Sequence, residues 1–423
     1  MGEDEWNADM TDAINLIMSP VPTSSITYPM GFRAAGTTCG IKPSGKPDLA
    51  VIVSDRTGPA TGVFTRNRLP GPPVLVSRRH LRRGLARAIV CNSGIANVAT
   101  GPEGETNALA MCEQVARAVD CSPREVLVCS TGVIGRRLPM TKITRGIASA
   151  TAGLGRGPTT DAVAGQAILT TDLVTKSARE RLRVNKSSIR LGGIAKGSGM
   201  IAPNMATMLC FITTDAAIEP APLRTALKEV VDRTFNRMSI DSDTSTSDSV
   251  LVLASGAAGH APIRGQGRAY RTFVGALERL CERLAEQIVR DGEGATRVIR
   301  LRVEQAVSAR DADRVGRAVV DSPLVKTAVH GSDPNWGRLI MAIGKSGARI
   351  QLEKLSIAIG DVTVFHRGAA TELTNQQRTK LGHRMRGPEV VLTIHLGQGR
   401  YGAQWLGCDL SRKYVTINAE YTT

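Results

Sequence analysis

Apolar positions along this chain follow two rhythms. DLAVIVSD (48–55) is a short apolar run between polar residues and predicts a strand. GVFTRNRLPGPPVLVSRRHL (62–81) predicts a strand, a proline-marked turn and a second strand. ARAIVCNSGIANVATG (86–101) predicts a strand running into a polar glycine turn. ETNALAMCEQVARAVD (105–120) changes rhythm: Leu109, Met111, Cys112, Val115 and Val119 recur at helical spacing. Further helices are expected over 162–172, 220–238 and from 276 to Asp291. Strands are expected at VLVLASG (250–256) and RVIRLRVEQA (297–306). From about 350 the pattern alternates strands with one helix, TELTNQQRTKLGHRM (371–385). Strand, turn and helix in alternation point to an α/β or α+β body. Residues 1–29 read as an extension with a short amphipathic helix over 12–18.

Composition narrows the picture. A chain of 423 residues exceeds one ordinary core and predicts two or three domains. Hydrophobic residues are 42% and aromatics only 3%, so packing rests on aliphatic side chains and alanine. The longest apolar runs are too short to span a bilayer. The beginning, MGEDEWNADMTDAINLIMS, carries acids where a secretory or organellar leader carries basic residues, so a cytoplasmic location is expected. Eight scattered cysteines without a CxxC pair predict reduced, mostly buried thiols. Isolated histidines predict no metal site. The net charge of +16 would attract acidic molecules. Its basic residues are spread out and barely interleaved with aromatics, which argues against a nucleic-acid reader.

Several short stretches can carry chemistry. Gly192 to Asp215 reads GGIAKGSGMIAPNMATMLCFITTD: a glycine turn with Lys196 inside it, then Pro203, then an apolar run that opens a buried strand or a helix. Thr207 stands at that boundary. Its hydroxyl can satisfy local backbone as a cap, or attack a carbonyl if a base sits beside it. The run 126–129 ends in Ser130-Thr131-Gly132, which is either a plain strand-ending turn or a place where backbone meets a ligand closely. Thr170-Thr171-Asp172 reads as a polar cap, and Lys196 as a surface lysine or a cation that swings into a site. Asp291-Gly292-Glu293-Gly294 stops a helix, with Glu293 either an exposed acid or a carboxylate reaching into a cleft. DSDTSTSDS (241–249) lacks the glycine and glutamate of a calcium loop, and is expected as a hydrogen-bonded turn beside the 192–215 stretch.

Taken as a string, AKGSGMIAPNMATML (195–209) resembles the self-cleavage segment of the ornithine acetyltransferases, or glutamate N-acetyltransferases. STGVIG (130–135), SPLVKTA (322–328), DPNWGR (333–338) and the terminal NAEYTT (418–423) resemble further motifs of that family, in the same order. The resemblance runs from about 31 to 423. It implies an α+β fold: a layered α/β sandwich as catalytic body (30–300) with a smaller C-terminal α/β domain (301–423), whose tail completes the site. It implies cleavage between Ala206 and Thr207 into α and β chains that stay together, typically as α2β2. Thr207 would then carry a free α-amine, with an unperturbed pKa of about 7.7–8.0, as the base for its own hydroxyl.

The implied reaction moves acetyl from N-acetylornithine to glutamate through an acetyl-threonine, with ping-pong kinetics, in arginine biosynthesis. Thr131 and Gly132 would form the oxyanion hole. Thr170 or Thr171, Lys196, Glu293, Asn418 and Thr423 would bind substrate. No cofactor is implied, and acetyl-CoA stays open as a second donor. The alternatives are a related self-cleaving amidohydrolase or aminopeptidase, and an acyltransferase for another acylated amino acid. DPNWGR and its neighbours are expected as interface and scaffold. Small amino acids are the expected partners, with no nucleic acid or membrane.

Overall fold

The computed structural model describes residues 24–184, 186–202 and 208–420. The proposed helix at 12–18, the residues Ala206 and Thr207, and Thr423 lie outside them.

The strands, in chain order, are β1 (Phe32–Thr37), β2 (Leu49–Phe64), β3 (Leu85–Ile95), β4 (Val126–Val133), β5 (Lys176–Val184), β6 (Ser187–Lys196), β7 (Leu209–Thr214), β8 (Met238–Ser239), β9 (Ser249–Ala254), β10 (Val298–Ala306), β11 (Ser356–Ile359), β12 (Val362–His366), β13 (Ala369–Ala370), β14 (Glu389–His395) and β15 (Tyr401–Cys408). An eight-stranded sheet has the order β4-β3-β2-β9-β7-β6-β5, with β1 paired to β2. A seven-stranded sheet has the order β13-β12-β11-β14-β10-β15-β8.

β2 is the hinge of the larger sheet. Its first part, Leu49 to Val53, pairs antiparallel with β3. A register shift between Val53 and Gly58 bends it, as bulges do. Its last part, Ala60 to Phe64, pairs with β9. The sheet therefore doubles into two facing layers. Period-2 alternation sorts the side chains between them. Ala50 and Ile52 of β2 meet Leu209 and Phe211 of β7 in one inner cluster. Leu49, Val51 and Val53 point outward against the helices Gly101–Val119 and Met140–Ala152. Cys210 and Ile212 point the other way, against the helices Pro220–Arg233 and Arg268–Arg290. The result is helix, sheet, sheet, helix: the layered α/β sandwich expected. The second sheet packs its own apolar face, including Trp405, Ile357 and Leu392, against the helices Ala309–Val320, Trp336–Gly344 and Asn375–Arg386.

The strand expected over the VLV run of 74–76 is a helix, Pro72–His80. Pro72 and Pro73 open it, where a missing N–H costs nothing and φ is already helical. Val74, Val76 and Ser77 are buried on one side. Ser77 Oγ donates to the Val128 carbonyl at 2.7 Å and so docks the helix on β4. The helix expected over 162–172 begins earlier and ends at Ala167, three residues before Thr170. No described helix is long and apolar enough to cross a membrane.

Candidate active site

The glycines of the 192–215 stretch divide into two kinds. Gly192 and Gly193 are not in a turn but inside β6. A Cβ on Gly192 would lie 1.7 Å from the Ser25 carbonyl oxygen, so the missing side chain lets the chain at 25 cross the strand. Lys196 is the last residue of β6, and Gly197 and Gly199 follow outside it. Rather than an exposed lysine, it is buried. Its Nζ donates to Thr170 Oγ1 at 2.7 Å and reaches Thr131 Oγ1 at 3.5 Å. Asp172 Oδ2 lies 3.8 Å away. Three residues singled out in sequence, Thr131, Thr170 and Lys196, are thus brought together. Thr171 turns elsewhere, its hydroxyl 2.7 Å from Ser198 Oγ.

The turn expected at Ser130-Thr131-Gly132 is the end of a longer strand, since β4 continues to Val133. Gly132 is opposite Gly94 in the parallel β3–β4 ladder. Its φ is 127°, and a Cβ there would sit 2.3 Å from the Gly94 carbonyl carbon. The close approach that needs a glycine is therefore to the neighbouring strand.

Glu293 follows the helix Arg268–Arg290 but is buried, not an exposed acid. Its N–H donates to the Ser198 carbonyl at 2.8 Å. Its carboxylate occupies the room left by Gly199, where a Cβ would lie 2.3 Å from Oε2. Near the chain's end Arg412–Glu420 forms a helix, and its Asn418 Nδ2 donates to Glu293 Oε2 at 2.8 Å. That helix is tied down by Ser411 Oγ, which donates to the Gly294 carbonyl at 2.6 Å, and by Tyr414 Oη, 3.3 Å from Asp241 Oδ2. Asp241 in turn accepts from the N–H groups of Met200 and Ile201 at 2.5 and 2.7 Å, so the acidic tract is the hydrogen-bonded turn expected beside this segment. Leu209, two residues beyond Thr207 in sequence, is the register partner of Lys196 across β6 and β7.

Further charged groups hold these residues in place. Asp172 is buried. Its Oδ1 accepts from Lys176 Nζ at 2.5 Å and Gly197 N at 2.6 Å, and its Oδ2 from Thr170 N at 3.0 Å. Burial pushes this carboxyl up, yet Lys176 and Lys196 together drive it well below the usual carboxylate range. Lys176 also donates to Asp291 Oδ2. Asp248 is fully buried, and burial raises its carboxyl well above the ordinary value although Lys196 pulls the other way. Asp48 accepts from the consecutive N–H groups of Cys39, Gly40, Ile41 and Lys42 at 2.6–3.1 Å. That nest presses Ile41 and the Lys42 stem onto Gly94. Burial brings the Lys42 ammonium down to about 8. Asp172 and Lys176 stand four residues apart. Among the described residues no group of three His, Cys, Asp or Glu could hold a metal ion.

An ammonium among two hydroxyls and a carboxylate, together with a buried glutamate that accepts from the Asn418 amide, suits a small ligand that carries both charges. The family model described as "ArgJ family" matches residues 33–423, and the chain belongs to that family. It is 43% identical over 411 residues to the arginine biosynthesis bifunctional protein ArgJ of a Synechococcus species, covering 95% of this chain and 98% of that one. It is 42% identical over 407 residues to the protein of the same name from Dehalococcoides mccartyi, with the same coverage. A crystal structure of the ArgJ protein of Bacillus halodurans is 40% identical, covers 50% of this chain and 98% of that one, and superposes with a TM-score of 0.48.

Proposed function

We propose that this chain transfers acetyl from N-acetylornithine to glutamate in arginine biosynthesis, using Thr207 as nucleophile after a break between Ala206 and Thr207. The relatives named above, matched over nearly their whole length, support the reaction. The observation that carries the site is the grouping of Lys196 with Thr131 and Thr170, beside a strand pair whose other member begins at Leu209.

In this reading the Thr207 hydroxyl gives its proton to its own α-amine and bonds to the acetyl carbonyl carbon. The developing oxyanion is met by Thr131 and Gly132. The carbon–nitrogen bond to ornithine breaks, the amine takes up the proton, and acetyl remains on Thr207 as an ester. Glutamate reverses the steps and leaves as N-acetylglutamate. Lys196 suits the α-carboxylate, which both substrates carry, and Glu293 with Asn418 suits the amino side. Thr170 faces Lys196 and is the better placed of the two threonines. The amino-acid substrates and the pairing of the two cleaved chains as α2β2 belong to the same proposal.

Intact-mass spectrometry tests it directly. The protein should resolve into two chains, the later one beginning TMLCF. Incubation with N-acetylornithine should add one acetyl group to that chain, and glutamate should remove it. A single uncut mass, or release of the acetyl group to water alone, would overturn the assignment.

A further inference from the structure

We propose that Lys176 is a positioning residue, which holds the Lys196 ammonium and the Glu293 carboxylate at a set spacing through a buried chain of alternating charges. This rests on the site reading above, in which those two groups meet opposite ends of an amino acid.

Lys196, Asp172, Lys176 and Asp291 follow one another as cation, anion, cation, anion. The ammonium of Lys196 is 3.8 Å from Asp172, and Lys176 bridges Asp172 and Asp291. The side chains of Lys176 and Asp172 are fully buried, and that of Asp291 is 5% exposed. Lys176 itself makes no hydrogen bond with Thr131, Thr170, Lys196 or Glu293 among the described residues. Its influence runs through its two carboxylates. Asp172 holds Gly197 N, next to Lys196, and Thr170 N. Asp291 accepts from Leu173 N at 3.1 Å and Val174 N at 3.4 Å, and stands two residues before Glu293. The 170–174 segment is thus fastened at one end to the Lys196 side and at the other to the Glu293 side. A second bridge, Thr171 to Ser198 and Glu293 N to the Ser198 carbonyl, closes the frame.

Without the Lys176 ammonium, two carboxylates would face each other in a buried place. A pair of like charges there cannot both stay ionised and in position. One takes a proton or the segment opens, and the spacing between Lys196 and Glu293 changes. β5 would still be attached to the neighbouring helix, because Gln287 clips Ser177 at two points: Oε1 accepts from Ser177 N and Nε2 donates to the Ser177 carbonyl, each at 3.0 Å.

The test uses the full chain with three variants. Lys176→Met removes the bridge. Lys176→Met with Asp291→Asn removes the bridge and its excess charge together, so that the fold is retained. Lys176→Arg keeps a cation. The KM values for N-acetylornithine and glutamate and the kcat are measured separately, alongside the melting temperature. Both Met-containing variants should raise the two KM values on the order of tenfold to a hundredfold, as misplaced binding groups do. Lys176→Arg should recover most of that loss. The double variant should melt close to the parent while keeping its raised KM values. A double variant that melts normally with KM values within about twofold of the parent would overturn the role of Lys176. A parent protein without acetyl transfer would instead overturn the reaction on which it rests.

Discussion

Asn418 and Glu293 are 125 positions apart in sequence, and the amide of one donates to the carboxylate of the other at 2.8 Å. A helix at the chain's end thereby reaches a carboxylate that would otherwise face the site alone. Hydrogen bonds to charged groups contribute about 1.5–3 kcal/mol, so Asn418→Ala should raise KM roughly tenfold to a hundredfold. Asn418→Asp should do worse, because it sets a second carboxylate against Glu293. Steady-state kinetics of the two variants against the parent decide this. An Asp variant better than the Ala variant would mean that Glu293 does not carry a negative charge there.

Thr131 and Gly132 should separate cleanly on substitution. Thr131→Ala removes one hydroxyl donor beside Lys196 and leaves β4 intact, so the protein should fold and still be cut. Its turnover should fall by roughly 10²–10³, the usual loss of one oxyanion donor. Gly132→Ala meets the Gly94 backbone at 2.3 Å and carries a φ of 127°. It should lose about 2–4 kcal/mol of stability, from overpacking and backbone strain together. Thermal melts and activity on the same samples distinguish the two losses.

Asp48 predicts a pH dependence of stability. The consecutive amides of 39–42 hold its carboxyl below the ordinary value against the opposing effect of burial. A group lowered in the folded state binds its proton later than the unfolded chain does. The stability it contributes is therefore fully present above the unfolded value of about 3.9 and is lost as pH falls through the folded one. Asp48→Asn should be destabilised by about 3 kcal/mol at neutral pH, and the gap to the parent should close in acid. Denaturant melts at pH 7 and pH 3 measure both. A gap that widens in acid would rule out this account.

Local rhythm made much of this fold readable. The apolar run that opens β2, the helical spacing of 105–120 and the glycine stop after Arg290 all lie within a few residues of their cause. Pro72-Pro73 is a helix-opening signal of the same local kind, but prolines mark turns as well, and here they read as a turn before a strand. Gly192 and Gly193 were read as a turn because their need is imposed from afar, by Ser25 crossing one strand face and Leu284 packing the other. The same holds at the site. Thr131, Lys196, Glu293 and Asn418 carry motifs. Lys176 and Asp248 carry none, and Asp291 stands out only as a helix stop; their partners come together only when strands and helices distant in sequence lie side by side. Burial is what makes their charges matter, and burial is a property of the assembled layers.

The strand order has a last consequence for the history of the molecule. β9 and β7, which follow residue 207, lie between β2 and β6, which precede it. If the chain is cut between Ala206 and Thr207 as proposed above, pulling the two products apart would strip the earlier one of its middle and leave the later one with a bare ribbon. Covalent continuity is what lets the pieces find one another during synthesis, and the break would discard it. Ripe protein, once denatured, would face a two-body search and should fail to regain activity on dilution, whereas an uncut Thr207→Ala chain should recover its native spectrum. Maturation, on this view, is a one-way passage that turns a reversible folder into an object that is assembled once.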